Sequence, residues 1–148
     1  MKHNHKEYIE KSPHDFEELR EIVAILRSEN GCKWDRAQTH ESLKECLENE
    51  TKEVYQAIDQ KDDENLCEEL GDLLLQVLLN AQIASERGAF TLDDVIQNLS
   101  EKMIRRHPHV FGDMVAETPE ESLALWREIK RKEKEEKEKR RKERRENQ

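Results

Sequence analysis

Apolar residues recur every three or four positions in five stretches of this chain, and polar segments carrying Gly, Asn, Asp or Pro separate them. That period is the mark of amphipathic helices. A first helix is expected from about Asp15 to Ser28, with Phe16, Leu19, Ile22, Val23 and Leu26 as its apolar stripe and Asn30-Gly31 as its end. Residues 31–39 read as a loop in which Trp34 serves as a hydrophobic plug. Thr39 is placed to cap a second helix, which runs through Leu43, Leu47, Val54 and Ile58 to about Gln60. A third starts at Asp62 or Asp63 and continues to about Arg87, where Gly88 supplies a stop. Thr91 to Asp94 opens a fourth helix through Val95, Ile96, Leu99 and Met103, and Pro108 enforces a loop after His107. Thr118-Pro119-Glu120-Glu121 is a capping box with proline at the first helical position, starting a fifth helix through Leu123, Leu125, Trp126 and Ile129. The fold class is all-α.

The third helix carries more apolar surface than one neighbour can cover. One face reads Leu66, Leu70, Leu73, Val77, Ala81 and Ala84, and Leu74, Leu75, Leu78 and Leu79 widen it. An obligate oligomer is the expected consequence. Beside that face runs a polar stripe, Glu69, Asp72, Gln76 and Asn80, whose later members could extend a site into a pocket.

Between the second and third helices, Asp59 to Asp63 can close a short turn and make them antiparallel neighbours. Counted outward from Lys61, Glu53 and Glu69 each lie eight residues away, and Glu50 and Asp72 each lie eleven. Within each helix the two acids are spaced i,i+3, which puts their Cβ atoms about 5–6 Å apart. A turn centred on Lys61 therefore brings four carboxylates to one level. They would repel one another unless they bound cations, and an all-oxygen cluster suits Mg²⁺ or Mn²⁺.

In a chain with 41% charged residues, acids at this spacing usually mark a solvated face. Two features argue otherwise. Glu50 falls inside the apolar series Leu43, Leu47, Val54 and Ile58, and Asp72 lies in the most apolar run of the chain, Leu70 to Leu79. A carboxylate buried without a partner is costly, and only Lys52 stands within reach.

The length of 148 residues suits one domain over 15–130, preceded by a flexible N-terminus over 1–14 and followed by a charged tail over 131–148. His3 and His5 in the leader carry little weight as metal ligands. From Arg127 onward there are twelve basic and seven acidic residues, so a chain of net charge −9 leaves −14 for the rest. An acidic body disfavours nucleic acid as a partner and fits a cation site. The tail is either a solvated helix held by i,i+4 pairs or disordered. No run approaches the roughly 18 apolar residues of a membrane span and the N-terminus has no signal-peptide core, so a cytoplasmic protein is expected. Cys32, Cys46 and Cys67 have no metal-binding spacing and read as free thiols. The basic cluster Lys102, Arg105 and Arg106 either opposes a helix dipole or holds phosphates, and both readings stand at this point.

Taken together, Asn49-Glu50-Thr51-Lys52-Glu53, Glu69-Leu70-Gly71-Asp72, Gly31-Cys32-Lys33-Trp34-Asp35, Arg105-Arg106-His107-Pro108-His109-Val110-Phe111 and Trp126 resemble, in order and spacing, the MazG family of nucleoside triphosphate pyrophosphohydrolases. The resemblance covers about residues 16–133. It implies all-α hairpins that form a four-helix-bundle-like core as a homodimer or dimer of dimers, and Mg²⁺-dependent hydrolysis of nucleoside triphosphates to monophosphate and pyrophosphate, a house-cleaning reaction on the nucleotide pool. It further implies Glu50, Glu53, Glu69 and Asp72 as metal ligands, with Glu50 and Glu53 in the catalytic step. Lys102, Arg105 and Arg106 would grip the triphosphate, and Trp126 and Lys130 would hold the nucleotide. The chain departs from the family at Asn49, where the signature has Glu, and at Lys33, where it has Pro. It is most similar to the first domain of two-domain members, whose activity is attributed mainly to the second.

Three rival readings follow. A dUTP- or phosphoribosyl-ATP-type pyrophosphohydrolase keeps the fold and changes the substrate. A catalytically weak helical module would bind nucleotide or a partner, with the acids solvated. A di-iron bundle is disfavoured, because it needs Glu-x-x-His pairs and no His here follows a Glu by three.

Overall fold

The computed structural model describes residues 5–148, so His3 lies outside it, and all regular secondary structure among the described residues is helical. In chain order the helices are α1 (Glu7–Glu10), α2 (Phe16–Leu26), α3 (Lys33–Ala37), α4 (Leu43–Asp59), α5 (Asp63–Glu86), α6 (Leu92–Arg106), α7 (Pro108–Phe111) and α8 (Pro119–Glu146). They fall into two compact units, one ending at Leu92 and one beginning at Asp93.

The first unit is built on the hairpin of α4 and α5, with α2 packed on α5. Its turn is a Schellman closure. Lys61 takes φ 54°, its N–H reaches the Ile58 carbonyl at 3.1 Å, and the Asp62 N–H reaches back to Ala57 at 3.1 Å. Asp62 then caps α5, its side chain accepting from the Asn65 N–H at 3.1 Å. One residue thus ends a helix and the next starts another. α5 closes in the same way, with Gly88 at φ 72° and the Ala89 N–H on the Ala84 carbonyl at 2.9 Å.

Residues 31–39 are not a plain loop, because Lys33–Ala37 forms α3. Arg27 explains how so short a helix is held. Its side chain, only 7% exposed, pairs with Glu86 at 2.7 Å and donates from Nη1 to the carbonyls of Asp35 (2.5 Å) and Gln38 (3.1 Å). Trp34 is 59% exposed and so is not the expected plug. Gly31 is needed where the chain folds back over α2, since a Cβ there would meet the Ile25 carbonyl oxygen at 2.2 Å. Thr39 acts one turn earlier than expected. Its hydroxyl accepts from the Ser42 N–H at 3.1 Å, and Ser42 Oγ accepts in turn from the Thr39 N–H at 2.9 Å, before α4 starts at Leu43.

The core of this unit contains Val23, Leu43, Val54, Ala57, Leu78, Leu79 and Ala84. The wide apolar face of α5 is therefore divided. Leu78, Leu79 and Ile83 are buried within the chain, whereas Leu70, Leu74 and Val77, and Leu47 and Ile58 on α4, remain exposed. Ahead of α2, Glu7–Glu10 makes one helical turn, and the Tyr8 hydroxyl donates to Glu21 at 2.6 Å.

The second unit consists of α6, α7 and α8. α6 has Asp93 and Asp94 in its first turn and Arg105 and Arg106 in its last, matching its dipole. Pro108 starts a turn of helix rather than a loop, because the ring's fixed φ suits a first helical position. Thr118 caps α8 through a bond from the Glu121 N–H at 3.2 Å, and Glu121 accepts from the Glu117 N–H at 2.7 Å. The charged tail is helical through Glu146, with side-chain pairs such as Arg131–Glu128 at 2.6 Å along it. Among the described residues no helix is long and apolar enough to cross a membrane.

Candidate functional site

The Lys61 turn sets the register of the hairpin, and the register brings the four acids together. Glu50 and Glu53 on α4 and Glu69 and Asp72 on α5 each offer one carboxylate oxygen, and these oxygens all lie within 4.8 Å of one another. Glu53 is exposed and the other three are half-buried. Glu50 Oε2 and Glu69 Oε2 are closed off from solvent and have no hydrogen-bond partner. Lys52 does not reach across to them, because it pairs with Glu48 at 2.9 Å.

Like charges at this range cannot all ionise at ordinary cost. Burial, a hydrogen bond with Glu53 and the charge of Glu53 and Asp72 raise the Glu50 carboxyl above its ordinary range. Burial first, then Glu53, Asp72 and Glu50, push Glu69 up to about 7. Four converging carboxylates, two of which also carry a solvent-closed oxygen without a hydrogen-bond partner, fit a hard divalent cation.

The raised Glu69 value has a measurable consequence. The folded protein keeps a proton that the unfolded chain releases at about 4.5. Stability of metal-free protein should therefore fall as pH rises from about 4.5 to about 7, with no deficit below that window and the full deficit above it. Melting in EDTA buffers across this range should show the slope, and Glu69→Gln should flatten it.

Of the rest of the polar stripe, Asn80 is engaged and Gln76 keeps an unpartnered oxygen. Asn80 donates to the Gln76 carbonyl at 2.7 Å and meets His40 Nδ1 at 2.9 Å, and Arg87 donates to His40 Nε2 at 3.2 Å. Gln76 is 6% exposed, and its Oε1 has no partner.

In the second unit, Lys102, Arg105, Arg106 and Lys130 line one groove of about 800 Å³ between α6 and α8. The Arg106 guanidinium lies 5.3 Å from the centre of the Trp126 ring and Lys130 Nζ lies 4.7 Å from it, so the indole supports two of the cations. Glu133, Lys137 and Arg140 belong to the same groove. Sequence reasoning passed over these three because it left the tail between helix and disorder. A signal existed, since Trp126, Lys130, Glu133, Lys137 and Arg140 are spaced four, three, four and three, one face of a helix.

A family model for the MazG nucleotide pyrophosphohydrolase domain matches residues 38–111, which include the four acids, Lys102, Arg105 and Arg106 but not Trp126 or Lys130. The chain is 59% identical over 119 residues to the nucleoside triphosphate pyrophosphohydrolase/pyrophosphatase MazG of Thermotoga maritima, covering 80% of this chain and 45% of that protein. It is 45% identical over 120 residues to the nucleoside triphosphate pyrophosphohydrolase of Escherichia coli K12, covering 80% and 46%. It is 52% identical over 121 residues to the uncharacterised protein YabN of Bacillus subtilis, covering 82% and 25%. The chain thus spans about a quarter to a half of these relatives' length. The crystal structure of a mazG-related protein from Thermotoga maritima superposes with a TM-score of 0.64 at 36% identity, covering 78% of this chain and 98% of that one.

Proposed function

The chain belongs to the MazG nucleotide pyrophosphohydrolase family, and we propose that it hydrolyses nucleoside triphosphates, ribo or deoxy, to the monophosphate and pyrophosphate with Mg²⁺. The observation that carries this reading is the acidic cluster, where four carboxylates converge and two of their oxygens have no other partner. Glu50, Glu53, Glu69 and Asp72 would hold the metal, which when bound would draw charge from phosphate oxygens and make nearby water a better nucleophile towards the α-phosphorus. Glu53, the exposed member of the cluster, would orient that water. Glu50 shares the work by keeping the Glu53 carboxylate in place. Lys102, Arg105 and Arg106 take the phosphates as charge-assisted donors, and Trp126 with Lys130 holds the nucleotide.

The exposed Leu70, Leu74 and Val77 on α5 support a homodimer or dimer of dimers in which a second copy covers this face. A cytoplasmic role on the free nucleotide pool fits this chemistry.

The test is a panel of NTPs and dNTPs with and without Mg²⁺, with products separated by chromatography. Monophosphate and pyrophosphate formed only with metal is the expected outcome. Folded protein that turns over none of them would favour the nucleotide- or partner-binding module instead, and turnover confined to dUTP or phosphoribosyl-ATP would change the substrate class.

A further inference from the structure

Glu133 lines a groove that carries eight cationic side chains and two acids, in a protein of net charge −9. Its Oε1 accepts from Arg105 Nε, and its Oε2 accepts from Arg106 Nε at 3.0 Å and Arg106 Nη2 at 2.8 Å. The Glu133 side chain is 21% exposed and that of Arg106 12%, whereas Arg105 is 51% exposed. Burial pushes the Glu133 carboxyl up, but the bonds from Arg105 and Arg106 outweigh it and hold the group below the usual carboxylate range.

The carboxylate takes the inner edge of each guanidinium. Both Nη groups of Arg105 and Nη1 of Arg106 have no hydrogen-bond partner among the described residues. A guanidinium is a rigid planar fork, so fixing its Nε edge fixes where the remaining donors point.

We propose that Glu133 is a positioning residue for phosphate binding: it anchors Arg105 through Nε and Arg106 through Nε and Nη2, so that both Nη groups of Arg105 and Nη1 of Arg106 are presented, already oriented, to a polyphosphate anion in the α6/α8 groove. The proposal rests on the phosphate-binding role given to these arginines above and adds to it the residue that orders them. It makes an unusual prediction of sign. Removing an acid from a cationic groove should tighten anion binding if bulk charge alone decided the matter. Losing the anchor should instead weaken it, because two long side chains must then be ordered at the moment of binding.

The experiment measures binding of inorganic pyrophosphate to the full chain by calorimetry in EDTA, so that the acidic cluster contributes no metal. Glu133→Ala should weaken binding about tenfold or more, the loss expected when charge-assisted bonds are no longer pre-aimed. Glu133→Gln keeps the volume and one acceptor oxygen and should recover part of that loss. In turnover assays both variants should raise KM while kcat stays within about twofold, a split that a general loss of structure would not give. Tighter binding in either variant would overturn the proposal and make Glu133 a competitor for the arginines. Unchanged binding in both would also overturn it. Lys102→Ala separates this failure from failure of the functional reading. If it weakens pyrophosphate binding while the Glu133 variants do not, the groove still binds phosphate and only the positioning role falls. If it too has no effect, the phosphate site itself is misplaced and the proposal falls with it.

Discussion

Asp72→Asn is expected to reduce metal-dependent nucleoside triphosphate hydrolysis by about a thousandfold, as is Glu50→Gln. Each substitution keeps side-chain volume and removes one of the four converging carboxylates. The charge stabilisation a divalent ion supplies to a phosphoryl transition state amounts to several kcal/mol, and about 4 kcal/mol corresponds to a thousandfold in rate. The double variant should be little worse than either single, since the four acids act as one unit. Stability should move the other way. Losing one negative charge from a crowded cluster relieves repulsion, so each variant in EDTA should melt no lower than the parent protein. Its gain in melting temperature on adding Mg²⁺ should shrink, because an ion that binds the folded state less tightly stabilises it less. Steady-state kinetics and paired melts with and without metal check both halves. Full turnover in both variants would remove the acids from the mechanism.

Leu79→Ala should destabilise the fold by about 2–5 kcal/mol, the range for a leucine truncated in a closed core. Leu79 is 1% exposed on the inner face of α5, where α2 and α4 both pack on that helix. The void would open in the core that holds α5 against its neighbours, about two helical turns along the helix from Asp72, and would loosen the hairpin that levels the acids. Leu70→Ala provides the contrast. At 50% exposure within one chain, its effect should stay within about 0.5 kcal/mol unless a second copy covers it. Urea denaturation at two protein concentrations reads both results, and a large, concentration-dependent loss at Leu70 would reveal the covering partner.

The cluster of acids was legible in the sequence because it depends on two local facts. Helical spacing pairs Glu50 with Glu53 and Glu69 with Asp72, and a turn centred on Lys61 levels the pairs. Both are properties of neighbouring residues, and Lys61 at φ 54° lies at the predicted centre. The groove was legible only in part. Lys102, Arg105, Arg106 and Trp126 could be named from motif and resemblance; helical spacing puts Glu133 on the same face as Trp126 and Lys130, but its pairing with the arginines could not be read, because it joins α6 and α8 side chains 27 and 28 positions apart in the chain. α3 was hidden for the same reason. Residues 33–37 have little helical signal of their own, and the segment is held by Arg27 donating to the backbone of Asp35 and Gln38.

Local chemistry in the sequence therefore determined the helices with strong caps, the α4/α5 turn, the all-α class and the level meeting of four carboxylates, since each follows from bonds closed within a few residues. Tertiary structure decided which leucines of α5 are buried, how α3 is held and which acid orders the arginines. It also decided that Glu50 and Glu69 each keep a carboxylate oxygen closed off from solvent and unpartnered. Those outcomes depend on competition among side chains far apart in the chain, and periodicity along a single helix does not contain it.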